Sequence, residues 1–447
     1  MTLKILLEFA VVLGALGIGA RVGGIGLGVW GGVGLLVLTV VFGVAPTAPP
    51  VDVILIILAV IMAASSMEAA GGVDYLVSVA EKLIRRNPKR ITIVAPIVAY
   101  AFSFAAGTGH IFYPLLPVMY EVARENGIRP ERPIAVSTIA SQQAITASPV
   151  SAATAAMLTL LAPSGVGLID ILIITIPATL IGVLSAALVQ TRIGVELDDD
   201  PEYKRRLEAG ELEPVKHRGP DDDVTVRPEL PAGARLSAAL FLVGVAVVVL
   251  AGALPNLRPQ VPGAGDALEP LGMPLVIEIV MLAVAATILL FAKAPVAAVP
   301  RTKTCQAGVT AVIGILGLAW MGDSFIAANK DVLLGALGET ATSYPSLFAV
   351  GLFAASVLLY SQAATTRALM PLGLSLGILP HNLIAMFPAV NGYFFLPNYG
   401  TIIAAINFDR TGTTGIGRFV LNHSFMLPGL IATVVAVAVG LGIASIW

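Results

Sequence analysis

Ser141-Gln142-Gln143-Ala144-Ile145-Thr146-Ala147-Ser148-Pro149 interrupts an otherwise apolar stretch, Pro133 to Leu161, that is too long and too broken for one ordinary helix. A cluster of side-chain donors followed by a proline needs a physical reason if the segment lies inside a bilayer. Irregular backbone is tolerated in hydrocarbon only where protein buries it or a wet cavity borders it. A half-helix restarting at Ser148-Pro149 would aim its unpaired N–H groups and positive dipole end into such a cavity, and that arrangement suits an anion.

The rest of the chain supplies the bilayer. Hydrophobic residues make up 57% of 447 and charged residues only 12%, at a mean hydropathy of +0.91, a balance that a water-facing domain does not have. Of the 54 charges, 18 fall between Val195 and Glu229, which reads as the one sizeable aqueous loop and, with Asp198 to Asp200 and Asp221 to Asp223, as a solvated linker. The single cysteine, Cys305, excludes an internal disulfide and any Cys/His zinc cluster, so no cofactor is expected. A net charge of −2 without a basic, aromatic-rich patch argues against nucleic acid as a partner. Met1 to Ala20 reads as a first span and not as a signal peptide, because the apolar pattern resumes directly after Gly24.

Stretches of about 20 apolar residues, the length that crosses a bilayer, lie at 3–20, 24–44, 51–71, 168–191, 235–254, 272–292, 305–327 and 419–446. Lys and Arg near span ends stay on the cytoplasmic side, and one topology places 22 of the 26 basic residues there. It requires 91–124 and 345–378 to be re-entrant hairpins with tips at Gly107-Thr108-Gly109-His110 and Ser361 to Thr366. It also sets both termini outside and the 194–234 linker inside. Adding 254 to Val51, Gly107 and Ser141 lands on Cys305, Ser361 and Phe395, the marks of one unit duplicated in opposite orientation. The expected fold is therefore an all-α polytopic membrane protein of two inverted repeats, 1–193 and 235–447. Each repeat has an interfacial helix (73–86, 330–340), a hairpin and a discontinuous crossing (133–161, 381–408). Secondary transporters have this layout, with substrate near the midplane at the helix breaks.

The second break is Phe395-Leu396-Pro397-Asn398-Tyr399-Gly400-Thr401. Together the tips and breaks nominate Thr108, Gly109, His110, Ser141, Gln142, Thr146, Ser148, Ser361, Gln362, Thr365, Thr366, Arg367, Asn398, Tyr399 and Thr401 as substrate contacts. No carboxylate falls at membrane depth in these segments, and the one base is Arg367, whose planar fork suits a carboxylate. The cargo is expected to be a small polar anion. Plainer readings stand beside this one. Single Ser, Thr and Gly residues commonly serve helix packing; Arg367 can be a structural cation, His110 a hydrogen-bonding spacer, and Asp323 a partner for interrupted backbone in place of a proton relay. An intramembrane hydrolase has little support: HExxH is absent, and Trp320 stands where a GxGD motif wants glycine.

Several spaced segments give the chain a resemblance to the anaerobic C4-dicarboxylate transporter (Dcu) family of bacteria, nearly end to end. They include Gly19-Ala20-Arg21-Val22-Gly23-Gly24-Ile25-Gly26, Ala70-Gly71-Gly72-Val73-Asp74-Tyr75-Leu76-Val77 and Arg85-Arg86-Asn87-Pro88-Lys89. Ala106-Gly107-Thr108-Gly109, Ile145-Thr146-Ala147-Ser148-Pro149, Tyr360-Ser361-Gln362-Ala363-Ala364-Thr365 and Asp409-Arg410-Thr411-Gly412-Thr413-Thr414 complete them. The resemblance implies a bacterial inner-membrane protein that takes up, exchanges or exports fumarate, malate, succinate and aspartate. Through the wider ion-transporter superfamily it implies a homodimer with an elevator-like transport domain. The chain departs from the family pattern at Arg367, where a lysine is usual, and at His110, where a neutral amide is usual. A sodium- or proton-coupled symporter is the alternative to exchange, with unwound carbonyls at Thr108, Ser141 and Ser361 able to hold sodium.

Overall fold

A computed structural model of the chain describes residues 3–22, 25–212, 230–262, 268–359, 361–397, 399–417 and 421–446. Leucine-, valine- and alanine-rich runs with few interior charges become long helices whose backbone groups are satisfied within the segment, as hydrocarbon demands. The first half runs α1 (Leu3–Val22), α2 (Gly26–Phe42), α3 (Val51–Ala69), α4 (Gly72–Arg86), α5 (Ile91–Ala106), α6 (Leu116–Glu125), α7 (Glu131–Ala147), α8 (Ala152–Leu161) and α9 (Leu168–Gln190). After a short α10 (Pro201–Glu208), the second half runs α11 (Ala234–Ala253), α12 (Met273–Phe291), α13 (Lys303–Ser343), α14 (Pro345–Leu359), α15 (Gln362–Ser375), α16 (Pro380–Met386), α17 (Gly400–Phe408) and α18 (Met426–Ala444). A two-strand ribbon pairing Gln260–Pro262 with Leu268–Pro270 is the one extended element among the described residues. Seven helices are long and apolar enough to cross a membrane, or eight with the bent pair α3–α4. The chain is a multi-pass membrane protein.

The two halves pack reciprocally. Helix α2 lies along α13, α12 lies along α3, and α9 and α18 lie against each other. Between α2 and α13 the backbones touch: a Cβ on Gly317 would sit 1.7 Å from the Gly28 carbonyl oxygen, the small-residue packing that stands in for hydrophobic drive inside lipid. Glu68, at the end of α3, accepts from the Lys303 and Thr304 N–H groups at 3.1 Å each, so a carboxylate from one half caps the long helix of the other.

Two expectations need correction. Residues 305–327 and 330–340 are one continuous 41-residue helix, α13, so the second interfacial helix is not a separate element. Its counterpart α4 is separate, bent 73° from α3, because Gly71 takes φ +80°, a left-handed turn that ends α3. The 194–234 linker is also more than a solvated tether over its first part. Asp200 caps α10 by accepting from the Glu202 and Tyr203 N–H groups, while Leu197, Tyr203 and Leu212 bury a small cluster of their own. Arg129 reaches both Glu131 and Asp200, and Arg206 donates to the Arg410 carbonyl at 2.9 Å, fastening the linker to the second half. Burial works to lower the Arg129 pKa, but the two carboxylates more than offset it and hold it above its ordinary value.

Candidate functional site

Two helical hairpins and two broken crossings meet around a cavity of 510 Å³. The first hairpin, α5 and α6, turns at Gly107 with φ +68°. A Cβ there would lie 2.6 Å from the Val150 carbonyl oxygen, so only glycine lets the tip seat on the break between α7 and α8. Ser148 closes the same joint, donating to the Phe104 carbonyl at 2.6 Å. The second hairpin, α14 and α15, restarts at Ser361, whose hydroxyl accepts from the Ala364 N–H at 3.2 Å.

The breaks do not fall where the polar clusters suggest. Ser141 to Ala147 stay helical, and the first interruption is Ser148 to Ser151, with α8 starting at Ala152 and not at Ser148-Pro149. The reason is local: Ser141 and Thr146 donate back to the Thr138 and Gln143 carbonyls of their own helix, whereas Pro149 cannot continue the ladder and holds Ser148 extended at ψ 129°. The second interruption is longer than the expected Phe395 to Thr401. It runs from Phe387, through two short 3-10 turns, to Tyr399.

Three helix N-termini consequently face one space. Ser151, Ala152 and Ala153 at the head of α8, Ser361 to Ala364 at the head of α15, and Tyr399 and Gly400 at the head of α17 all line the cavity. Each N-terminus carries unpaired N–H donors and a partial positive charge of roughly half an elementary unit. Three of them converge where, among the described residues, no carboxylate lines the wall, an arrangement suited to an anion. Helices α3 and α13 line the rest, mostly with apolar residues such as Ile56, Ile57, Val60, Ala307 and Gly308 but also with Thr304 and Thr310.

Of the nominated contacts, Thr108, Gly109, Gln142, Ser361, Gln362 and Tyr399 line this cavity. Among the described residues Ser141, Thr146, Ser148, Thr365, Thr366, Arg367 and Thr401 do not. Thr365 and Thr366 donate to carbonyls of their own helix, and Thr401 is buried one residue inside α17. Asn398 and the side chain of His110 lie outside the described residues. The Arg367 guanidinium turns away from the cavity to Asp323 on α13, Nη2 to Oδ2 at 3.1 Å. Asp323 therefore answers a charge and not interrupted backbone, since α13 is unbroken there.

Sequence reasoning missed a buried amide chain. Gln362 Nε2 donates to Gln142 Oε1 at 2.9 Å and to Asn391 Oδ1 at 3.1 Å. Asn391 Nδ2 donates to Gln143 Oε1 and to the Pro388 carbonyl, both at 3.2 Å, and Gln143 Nε2 reaches Thr433 at 2.9 Å. Asn391-Gly392 reads as an ordinary turn pair, so no sequence signal marks it. The Ser151 cap was detectable, since Ser-Ala-Ala-Thr places an acceptor three residues before Thr154.

Comparison with known proteins agrees with this architecture. Residues 4–447 match the family described as anaerobic C4-dicarboxylate membrane transporter. The C4-dicarboxylate transporter DcuA of Escherichia coli (strain K12) is 44% identical over 443 residues, 99% of each chain. DcuA of Wolinella succinogenes is 44% identical over 441 residues, 98% of this chain and 99% of that one. The anaerobic C4-dicarboxylate transporter DcuB of Escherichia coli O6:H1 is 40% identical over 439 residues, 97% of each. Among solved structures, the Alcanivorax borkumensis YdaH transporter superposes with a TM-score of 0.58 at 17% identity, covering 100% of this chain and 99% of that one, a likeness of fold.

Proposed function

The chain belongs to the anaerobic C4-dicarboxylate membrane transporter family, and we propose that it carries fumarate, succinate, malate and aspartate across the bacterial inner membrane by antiport, with an elevator-type alternating access. The observation that carries the substrate class is the convergence of the α8, α15 and α17 N-termini on a cavity with no carboxylate among its described lining residues. A dicarboxylate can share its two charges among three such ends while Gln142, Gln362, Ser361 and Thr108 supply side-chain polar groups. The location of the cavity supports an elevator. One wall is the hairpin-and-break unit and the other is α3 and α13, so sliding the first along the second would carry the site between the two sides.

Arg367 enters this reading through Asp323. With the pair formed, α15 is tied to α13; release of the guanidinium toward an incoming carboxylate frees the hairpin as substrate arrives. Both termini then face the periplasm, the 194–234 loop faces the cytoplasm, and the working unit is a homodimer in the lipid bilayer.

Counterflow in proteoliposomes tests this. With unlabelled succinate inside and labelled fumarate or aspartate outside, uptake is expected to require internal dicarboxylate, and Arg367→Ala is expected to lower it by at least tenfold, as the loss of a charge-assisted bond implies. Uptake indifferent to internal acid but driven by a sodium or proton gradient would replace antiport with symport. Full exchange by the variant would remove Arg367 from the cycle.

A further inference from the structure

An amide presents a donor at one end and an acceptor at the other, so a cavity lined by Gln142 and Gln362 favours an anion only if something decides which end faces it. The buried amide chain contains that decision. A backbone carbonyl can only accept. The Asn391 atom 3.2 Å from the Pro388 oxygen must therefore be nitrogen, and the same nitrogen must donate to Gln143. The other end of Asn391 is then oxygen and needs a donor, which fixes the Gln362 atom 3.1 Å away as nitrogen. That nitrogen also faces Gln142 at 2.9 Å, so the Gln142 atom it meets must be oxygen. By elimination the donor end of Gln142 is turned to the tip of the first hairpin. There its Nε2 lies against Gly109, 2.3 Å from where a Cβ on that glycine would stand.

We propose that Asn391, locked by the Pro388 carbonyl, is a positioning residue that acts through Gln362, both of whose N–H groups are spent on Asn391 and Gln142, to turn the donor end of Gln142 outward, and thereby makes the cavity select a carboxylate over a neutral amide at one end of the substrate. The inference rests on the dicarboxylate reading of the cavity and deepens it. Asn391 is fully buried and does not line the cavity among the described residues, so it acts through its neighbours. Burial in a low-dielectric surrounding makes each reversed donor costly, which is why one carbonyl suffices to orient the row. Thr433, at the far end, accepts from Gln143 but decides nothing, because orientation enters from Pro388.

The test is competition in the proteoliposome exchange assay. Unlabelled succinate and succinamate, in which one carboxylate is a neutral amide, each compete with labelled fumarate, and the ratio of their half-inhibiting concentrations is read. Asn391→Leu fills the position but frees the two glutamines to turn, and is expected to reduce the preference for succinate by about tenfold, the range of one hydrogen bond to a charged group. Asn391→Ala, which empties the position, is read the same way should the leucine variant fail to fold. Thr433→Val is expected to leave the ratio unchanged. A folded Asn391 variant that takes up less of everything at an unchanged ratio would overturn the proposal, since a packing defect does not discriminate between the ligands. Absence of exchange by the wild type would instead contradict the transport reading, and the same ratio would then be taken from ligand-induced shifts in melting temperature of the detergent-solubilised protein.

Discussion

The two halves of this chain share an element order but differ in how they are jointed. In the first half, α3 gives way to α4 through a left-handed glycine at Gly71, the hairpin turns on a second one at Gly107, and the crossing opens over only Ser148 to Ser151. In the second half, the residue that the 254 offset pairs with Gly71 is Phe325, and α13 runs straight through it. The second crossing has a longer opening, where Pro388, Gly392 and Pro397 fall between α16 and α17 and Gly400 begins α17. The two halves thus keep similar helix packing while differing in where the backbone is irregular. Both openings contain proline, which cannot donate to the helical ladder, whereas Ser141 and Thr146 bond back along their own helix and leave it unbroken.

The heaviest penalty is expected at the first tip. Gly107→Val forces a branched side chain into positive φ and against the Val150 carbonyl, and overpacking with backbone strain is expected to cost about 3–5 kcal/mol. A melting temperature within a few degrees of wild type would mean that the tip can leave the break freely. A smaller effect separates the arms. Gly71→Ala is expected to destabilise the bent first arm by about 1–2 kcal/mol, whereas Phe325→Ala, at the equivalent place in the straight arm, removes packing without altering the helix. Helical content by circular dichroism should stay constant in the second variant, and equal effects on both arms would say that Gly71 is dispensable for the bend.

The smallest effect concerns the linker that joins the halves. Glu202 lies beside Arg205 and Arg206, and their hydrogen bonds hold its pKa down at about 2. Because that value lies below its ordinary one, the contribution to linker order is present above the usual carboxylate range and is lost as pH falls through about 2. Limited proteolysis of the 194–234 region is therefore expected to be flat between pH 5 and 8. A protection step inside that window would show that another group governs the clasp of α10 on the Arg410 loop.

Much of the architecture was legible beforehand. Eight apolar stretches appear as α1, α2, α3, α9, α11, α12, α13 and α18, and the hairpins turn at or next to the tips read from charge placement. The candidate site was legible in outline only. Gln142, Gln362, Ser361 and Tyr399 reach the cavity because they sit at helix ends or on faces turned to it, while Thr365, Thr366 and Ser141, identical in type, bond their own helices. Arg367 was visible as the lone cation of the two hairpins and breaks, but its partner was not, since Asp323 lies 44 residues away.

Hydropathy and the position of lysine, arginine, proline and glycine are enough to say that this chain is a bundle of membrane helices with two hairpins and two broken crossings, because lipid leaves the backbone few alternatives. Which polar side chains share one space is a different kind of fact. The amide chain links Gln142 to Gln362 across 220 residues and Asn391 to Gln143 across 248. No local propensity carries information over such separations. Only the packing of the second half onto the first brings three helix N-termini and two glutamines together around one cavity and sets the Pro388 carbonyl behind them.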